Sequence, residues 1–238
     1  MINLSRVSVV PVISESERQE ALQVLRATYE REKRWVADGE KVFSTDDLDR
    51  FDVAWFLARR SREPVGVLRV LFNPPLGLYA EYGFQPMPGV SFDVTEFVKR
   101  ARVAEIGRFA VLPEHRTNHY IAAALMRAAV RDTLERGFTH YVTDIFEGEK
   151  HSPYLFHTRV MGFEPVATHD VGEPNCPHRR VTMILDLQAA YRRLRHGGGW
   201  LFRYLTADWS ATLHQRLSGE EPSLAPASAS RFDAAVLA

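Results

Sequence analysis

Between Val103 and Phe146 the chain writes a strand, a helix and a second strand in close succession, and any fold must accommodate that block. Val103–Leu112 (VAEIGRFAVL) is an apolar run closed by Pro113. Ile121, Leu125, Ala128, Ala129, Thr133 and Leu134 then recur at helical spacing, and Gly137 is a natural helix stop. Thr139–Phe146 reads as the second strand. The turn LPEHRTNHYIA sits where a helix N-terminus offers free backbone N–H groups and a positive dipole end, a setting suited to phosphate. Arg116 adds a charge, and Thr117, Asn118 and His119 add polar groups beside it. Yet His119 and Ile121 occupy positions where phosphate-cradling turns usually place glycine, which makes close backbone approach to a pyrophosphate harder. The plainer reading is an ordinary strand-to-helix turn with a polar first turn.

Around this block the pattern is that of an α+β chain with a mixed sheet. Val7–Ile13 reads as a strand that Pro11 places at an edge or an irregularity, and Ser14 with Glu17 forms a capping-box signature. Ala21, Leu22, Leu25 and Tyr29 give the following helix its apolar stripe. Val53–Ala58 and Val65–Phe72, separated by the polar RRSREP, predict a hairpin, and Asn73–Gly89 a long loop rich in Pro and Gly. Pro153–Met161 reads as a helix stopped by Gly162, with Phe163–Thr168 and Arg180–Leu187 as a closing antiparallel pair. Residues 188–217 form a polar, aromatic-bearing helical extension broken at Gly197–Gly199, and residues 218–238 have the composition of a disordered tail.

Three charge patterns carry chemistry. Asp47, Asp49 and Asp52 crowd three carboxylates into DLDRFD, either a solvated acidic turn or part of a site. Arg69 interrupts the apolar strand VGVLRVLF, and a buried cation needs carboxylate partners, which the acidic turn could supply. Glu105 and Arg108 would point to opposite faces of a regular strand, but Gly107 permits a bulge that breaks the alternation. A structural ion pair in the sheet explains these two equally well.

These residues in this order resemble the GNAT acyltransferase superfamily, and within it the acyl-homoserine-lactone synthases and N-acyl amino acid synthases. Trp35 precedes the acidic cluster Asp47-Leu48-Asp49-Arg50-Phe51-Asp52, Arg69 follows in the hairpin, and Glu105, Arg108 and Phe109 form the Glu-x-x-Arg-Phe strand. The resemblance covers roughly residues 20–187 and implies a GNAT-like, mostly antiparallel central sheet flanked by helices. It makes 1–187 the acyltransferase domain and implies acyl transfer from a thioester to an amine. Glu105 becomes the base, Arg108 a catalytic neighbour, and Asp47, Asp49, Asp52, Arg69 and Trp35 the surroundings of the acceptor. Arg116, Thr117, Asn118 and His119 become the donor-phosphate site. The usual Arg-x-x-Gly-x-Gly/Ala stands here as Arg116-Thr-Asn-His119-Tyr-Ile121, which points from acetyl-CoA toward the phosphopantetheine arm of acyl carrier protein. Acyl-CoA or aminoacyl-tRNA as donor, and a carrier-binding module without catalysis, remain as alternatives. His157 stands one residue from the common position of a GNAT tyrosine and is a candidate general acid, although a lone His on an apolar helix is more often structural.

Composition sets the outer limits. Thirty basic and thirty acidic residues give a formal net charge of zero, a poor balance for general nucleic-acid binding. Single Cys176 excludes an internal disulfide and fits a reducing cytoplasm, and no run is long and apolar enough for a membrane span. Cys176, His178 and His169 lack the spacing of a zinc site, so no metal and no tightly bound cofactor is expected.

Overall fold

A computed structural model describes residues 7–36, 50–76, 83–116, 119–170, 176 and 178–219. Asp47, Asp49, Thr117, Asn118 and the expected tail from residue 220 lie outside the described residues.

The block 103–146 sets the architecture. Val103–Val111 (β5) and His140–Phe146 (β6) lie parallel, joined by the helix His119–Glu135 (α3). The remaining pairings in the sheet are antiparallel. With Val7–Pro11 (β1), Val53–Arg60 (β2), Glu63–Phe72 (β3), Gln85–Pro86 (β4), Glu164–His169 (β7) and Arg180–Asp186 (β8), the order is β1-β2-β3-β5-β6-β8-β7-β4. The expected hairpin is present and longer than read. Its two-residue turn, Ser61–Arg62, has φ of 53° and 75°, the mirror-image turn that matches strand twist.

One face of the sheet packs on α3. Leu68, Val70, Ala104, Ile106, Tyr141 and Met183 meet Ile121, Leu125, Met126 and Ala129 there. The other face receives Glu15–Leu25 (α1), whose Ala21, Leu22 and Leu25 cover Trp55, Leu57 and Val67. The capping box holds as written: Ser14 Oγ accepts from Glu17 N at 3.3 Å, and the Glu17 carboxylate accepts from Ser14 N at 2.8 Å. After Leu25 the helix widens into a π-helical segment, Arg26–Glu32, a departure that the i, i+4 apolar stripe does not foretell.

Two features differ from the sequence reading. Within the predicted loop 73–89 the described residues include the edge strand β4, whose Pro86 suits an edge. A short helix, Val94–Arg100 (α2), follows, capped by the Asp93 side chain accepting from Thr95 N and Glu96 N. It buries none of its residues, so no apolar stripe announced it; the pair Asp93 and Glu96 was the available signal.

Residues 187–218 form three helices, Leu187–Gly197 (α4), Trp200–Thr206 (α5) and Ala211–Ser218 (α6); the first break falls at Gly198 and Gly199, with Gly197 still helical. Leu201, Leu205, Leu213 and Leu217 join the same apolar core as α3. Arg127 and Arg131 of α3 reach Asp208 at 3.3 and 3.2 Å. Among the described residues no helix is long and apolar enough to cross a membrane.

Candidate active site

The site begins where two parallel strands part. β5 and β6 pair only through Val103–Glu105 against His140–Val142; beyond that point β5 stays with β3 while β6 stays with β8. Thr143 Oγ1 donates to the Ile106 carbonyl at 2.9 Å, the last tie before the gap opens.

At the gap β5 carries the bulge. Val67 faces Ala110 and Arg69 faces Gly107, so one residue of β3, Leu68, lies opposite two of β5, Arg108 and Phe109. The residue in the left-handed region is Arg108, with φ of 49°, rather than Gly107. A non-glycine residue there stores strain of about 1–3 kcal/mol and persists only where the surroundings enforce it. Gly107 serves differently. A Cβ there would lie 2.9 Å from both Arg69 Nη2 and Glu105 Oε1, so the missing side chain leaves room for their ion pair.

That pair answers the question posed by a cation in an apolar strand. Arg69 Nη2 donates to Glu105 Oε1 at 2.7 Å, with the two side chains 13% and 24% exposed. Asp52, the described member of the acidic cluster, takes two hydrogen bonds from Arg50, at 3.0 and 2.7 Å. Those bonds hold its carboxyl below the usual range, with Arg69 adding a weaker pull. Its backbone carbonyl accepts from Phe72 N at 2.8 Å, which fastens the turn to the end of β3.

Beside the gap lies a cleft of about 370 Å³, walled by Tyr29, Trp35, Phe109, Ala122, Pro153 and Phe156, with Arg116 and His119 at the α3 end. Its lining is mainly apolar, as ligand clefts usually are. The π-helical segment brings Tyr29 to the wall. Burial pushes its phenol up, while the charges of Arg108, Arg69 and Arg116 pull it down more weakly.

Arg116 is strongly committed. Both terminal nitrogens bond the Glu32 carboxylate at 2.5 Å, and Nε donates to the Val111 carbonyl at 2.9 Å. Burial raises the Glu32 carboxyl, but Arg116 and Lys33 outweigh it and hold the group below its ordinary value. Across the cleft Lys33 Nζ bonds the Glu149 carboxylate, and the Lys150 carbonyl at 2.7 Å. Trp35 packs on Phe146 at 4.5 Å. The π-helical segment is thereby stapled to both β5 and the end of β6. Sequence reasoning missed Tyr29, Glu32, Lys33 and Glu149 as site residues. Tyr29 counted only as core, and the two ion pairs join residues 84 and 116 positions apart.

His157, the candidate general acid, lies in the core. It is 1% exposed, Nδ1 lies 3.0 Å from the Pro153 carbonyl, and Phe109, Phe156 and Phe163 surround the ring. Burial pushes its pKa down to about 4, which keeps the ring neutral at pH 7 and favours a packing role. One consequence is measurable. Its unfolded pKa is near 6.5, so as pH falls from 6.5 to about 4 the unfolded state takes up the proton and the folded state does not. Stability should drop through that window by about 1.4 kcal/mol per pH unit, on the order of 3 kcal/mol in all, and level off below it. Urea titrations at stepped pH should show a shallower decline in His157→Gln than in the parent.

Among the described residues no group of three or more His, Cys, Asp or Glu is placed to hold a metal ion.

This geometry has parallels. The sequence model of the N-acyl amino acid synthase family FeeM matches residues 20–185. The structure of FeeM, an N-acyl amino acid synthase from uncultured soil microbes, superposes with a TM-score of 0.59 at 16% identity, covering 81% of this chain and 98% of that one. An agmatine N-acetyltransferase gives 0.54 at 14% identity, covering 76% and 100%. A putative GNAT-family acetyltransferase from Desulfovibrio desulfuricans gives 0.50 at 14%, covering 76% and 99%. No functionally curated protein matches the sequence. With parted parallel strands, a bulged β5 and a family match over most of its length, the chain belongs to the FeeM family of N-acyl amino acid synthases, N-acyltransferases built on the GNAT fold.

Proposed function

We propose that the protein transfers an acyl group from the phosphopantetheine thioester of acyl carrier protein to the amino group of an amino acid. The observation that carries this reading is the bulge at Arg108, which sits between the apolar cleft and the Arg69–Glu105 pair. The acyl donor enters the cleft, and the acceptor lies on the sheet face that carries Glu105. An amine is protonated at neutral pH, so Glu105, directly or through a water, takes a proton before attack. The amine nitrogen then bonds the thioester carbon, and the oxyanion is met by backbone N–H groups that the bulge turns out of the ladder. The nitrogen gives up its second proton to solvent as collapse breaks the C–S bond, leaving an amide. A thiol of ordinary pKa, about 8.5, departs as thiolate and takes up a proton from solvent, so the step needs no acid from His157. Arg69 and Arg108 supply positive charge for the acceptor's carboxylate.

The donor assignment rests on the turn before α3. It lacks glycines, and Arg116 is held by Glu32, which suits the single phosphate of a carrier arm better than the pyrophosphate of CoA. The tRNA alternative would need the basic extension to bind phosphates, but Arg193, Arg203 and Arg216 there donate to the carbonyls of Met161, Gly198 and Leu134. The test compares initial rates for one acyl chain presented on acyl carrier protein and on CoA, with chains from acetyl to palmitoyl and a panel of L-amino acids. The expected result is a higher kcat/KM from the carrier. Equal or better rates from CoA would overturn the donor assignment and leave the transfer reaction standing.

A further inference from the structure

Beyond Glu105 the same face of the sheet carries a second carboxylate. Val142 on β6 is the register partner of Glu105, and Asp144 is the next residue of β6 on that face. Thr182, its partner on β8, donates to Asp144 Oδ1 at 2.6 Å. His169 Nε2 lies 3.1 Å from Oδ2, with the imidazole 1% exposed and the Asp144 side chain 29% exposed. Phe146, one further step along, packs on Trp35 at the wall of the donor cleft. Asp144 therefore lies on the face that holds the base, near the end of the donor cleft.

Among the described residues, two carboxylates on this face, Asp144 and Asp186, have an imidazole and no Arg or Lys beside them, and Asp186 is already engaged in capping α4 through Gln188 N and Ala189 N. Elsewhere around the site Asp52 faces Arg50, Glu105 faces Arg69, Glu32 faces Arg116 and Glu149 faces Lys33. Asp144 instead has a hydroxyl and an imidazole, neither of them a fixed cation. Each carboxylate oxygen has lone pairs for more than one donor, and part of the group is open to solvent. A primary ammonium, compact and with three N–H donors, suits that opening.

We propose that Asp144 binds the ammonium group of the acyl acceptor before Glu105 takes its proton, with Thr182 and His169 as positioning residues. This rests on the acyl-transfer reading above, and the test separates the two. For each L-amino acid or alkylamine accepted by the parent protein, Asp144→Asn should raise KM for the amine roughly 10- to 100-fold. The KM for the acyl donor, and kcat at saturating amine, should stay within a few-fold, the signature of binding shared by ground and transition states. Thr182→Val should shift the amine KM in the same direction by less. It also carries the test should Asp144→Asn fail to fold. An unchanged amine KM in a folded variant, or a donor KM that moves as far as the amine KM, would overturn the proposal. If the parent acylates no amine at all, the acyl-transfer reading fails, and calorimetric titration with the same amines decides this one. Binding by the parent that the Asp144→Asn variant loses supports it; absence of binding, or equal binding, sinks it.

Discussion

Glu105→Gln is expected to lower kcat by about 10²- to 10⁴-fold, the usual contribution of a positioned general base. The amide keeps the shape of the side chain and can still accept a hydrogen bond from Arg69, so the change removes basicity more than architecture. Arg69 is only 13% exposed and loses its counter-charge, which should cost about 1–3 kcal/mol of stability. The loss of rate should therefore appear in protein whose melting curve is still cooperative and whose KM for the acyl donor is little changed. Steady-state rates with saturating donor and amine measure it. A Glu105→Gln variant that turns over within a few-fold of the parent would remove Glu105 from the chemistry and leave its pair with Arg69 as a structural tie.

Ala122→Trp should have an effect of similar size for a different reason. Ala122 lies on the first turn of α3 at the wall of the cleft, where a large ring would occupy the path of the donor arm. Displacing a reacting group by as little as an ångström can cost on the order of a hundredfold, and kcat/KM for the thioester should fall by at least about that factor whatever its acyl chain. Amine binding, read by calorimetry without donor, should be unaffected if the acceptor binds, as proposed, on the other side of the bulge. Loss of amine binding with donor kinetics intact would reverse the assignment of cleft and face.

What could be read from the sequence depended on how local the cause was. Ser14 and Glu17 act across three residues and Gly162 within one turn, so the helix start and stop they predict are where the structure has them. The bulge was legible because Gly107 interrupts a strand whose charged residues would otherwise face apart. That its left-handed residue is Arg108 was not, since the register shift is set by Arg69 and Val67 on the neighbouring strand. The widening of the helix after Leu25 leaves Tyr29 on a plausible apolar stripe, and only the folded chain shows it at the wall of the cleft. For His157 the sequence left a structural and a catalytic reading open; Phe109 and Phe163, brought in by two strands, bury the ring, which favours the structural one. The ties that form the cleft, Arg116 to Glu32 and Lys33 to Glu149, join segments that no local pattern connects.

Amide formation from a thioester at the parted strands can be read by mass spectrometry of a three-part mixture. It holds the purified protein, acyl carrier protein loaded with an isotopically labelled acyl chain, and an L-amino acid panel. Labelled N-acyl amino acid and free carrier thiol are expected in equal amounts, both dependent on the protein. Labelled free acid alone, or no protein-dependent loss of thioester from any donor, would contradict acyl transfer at this site.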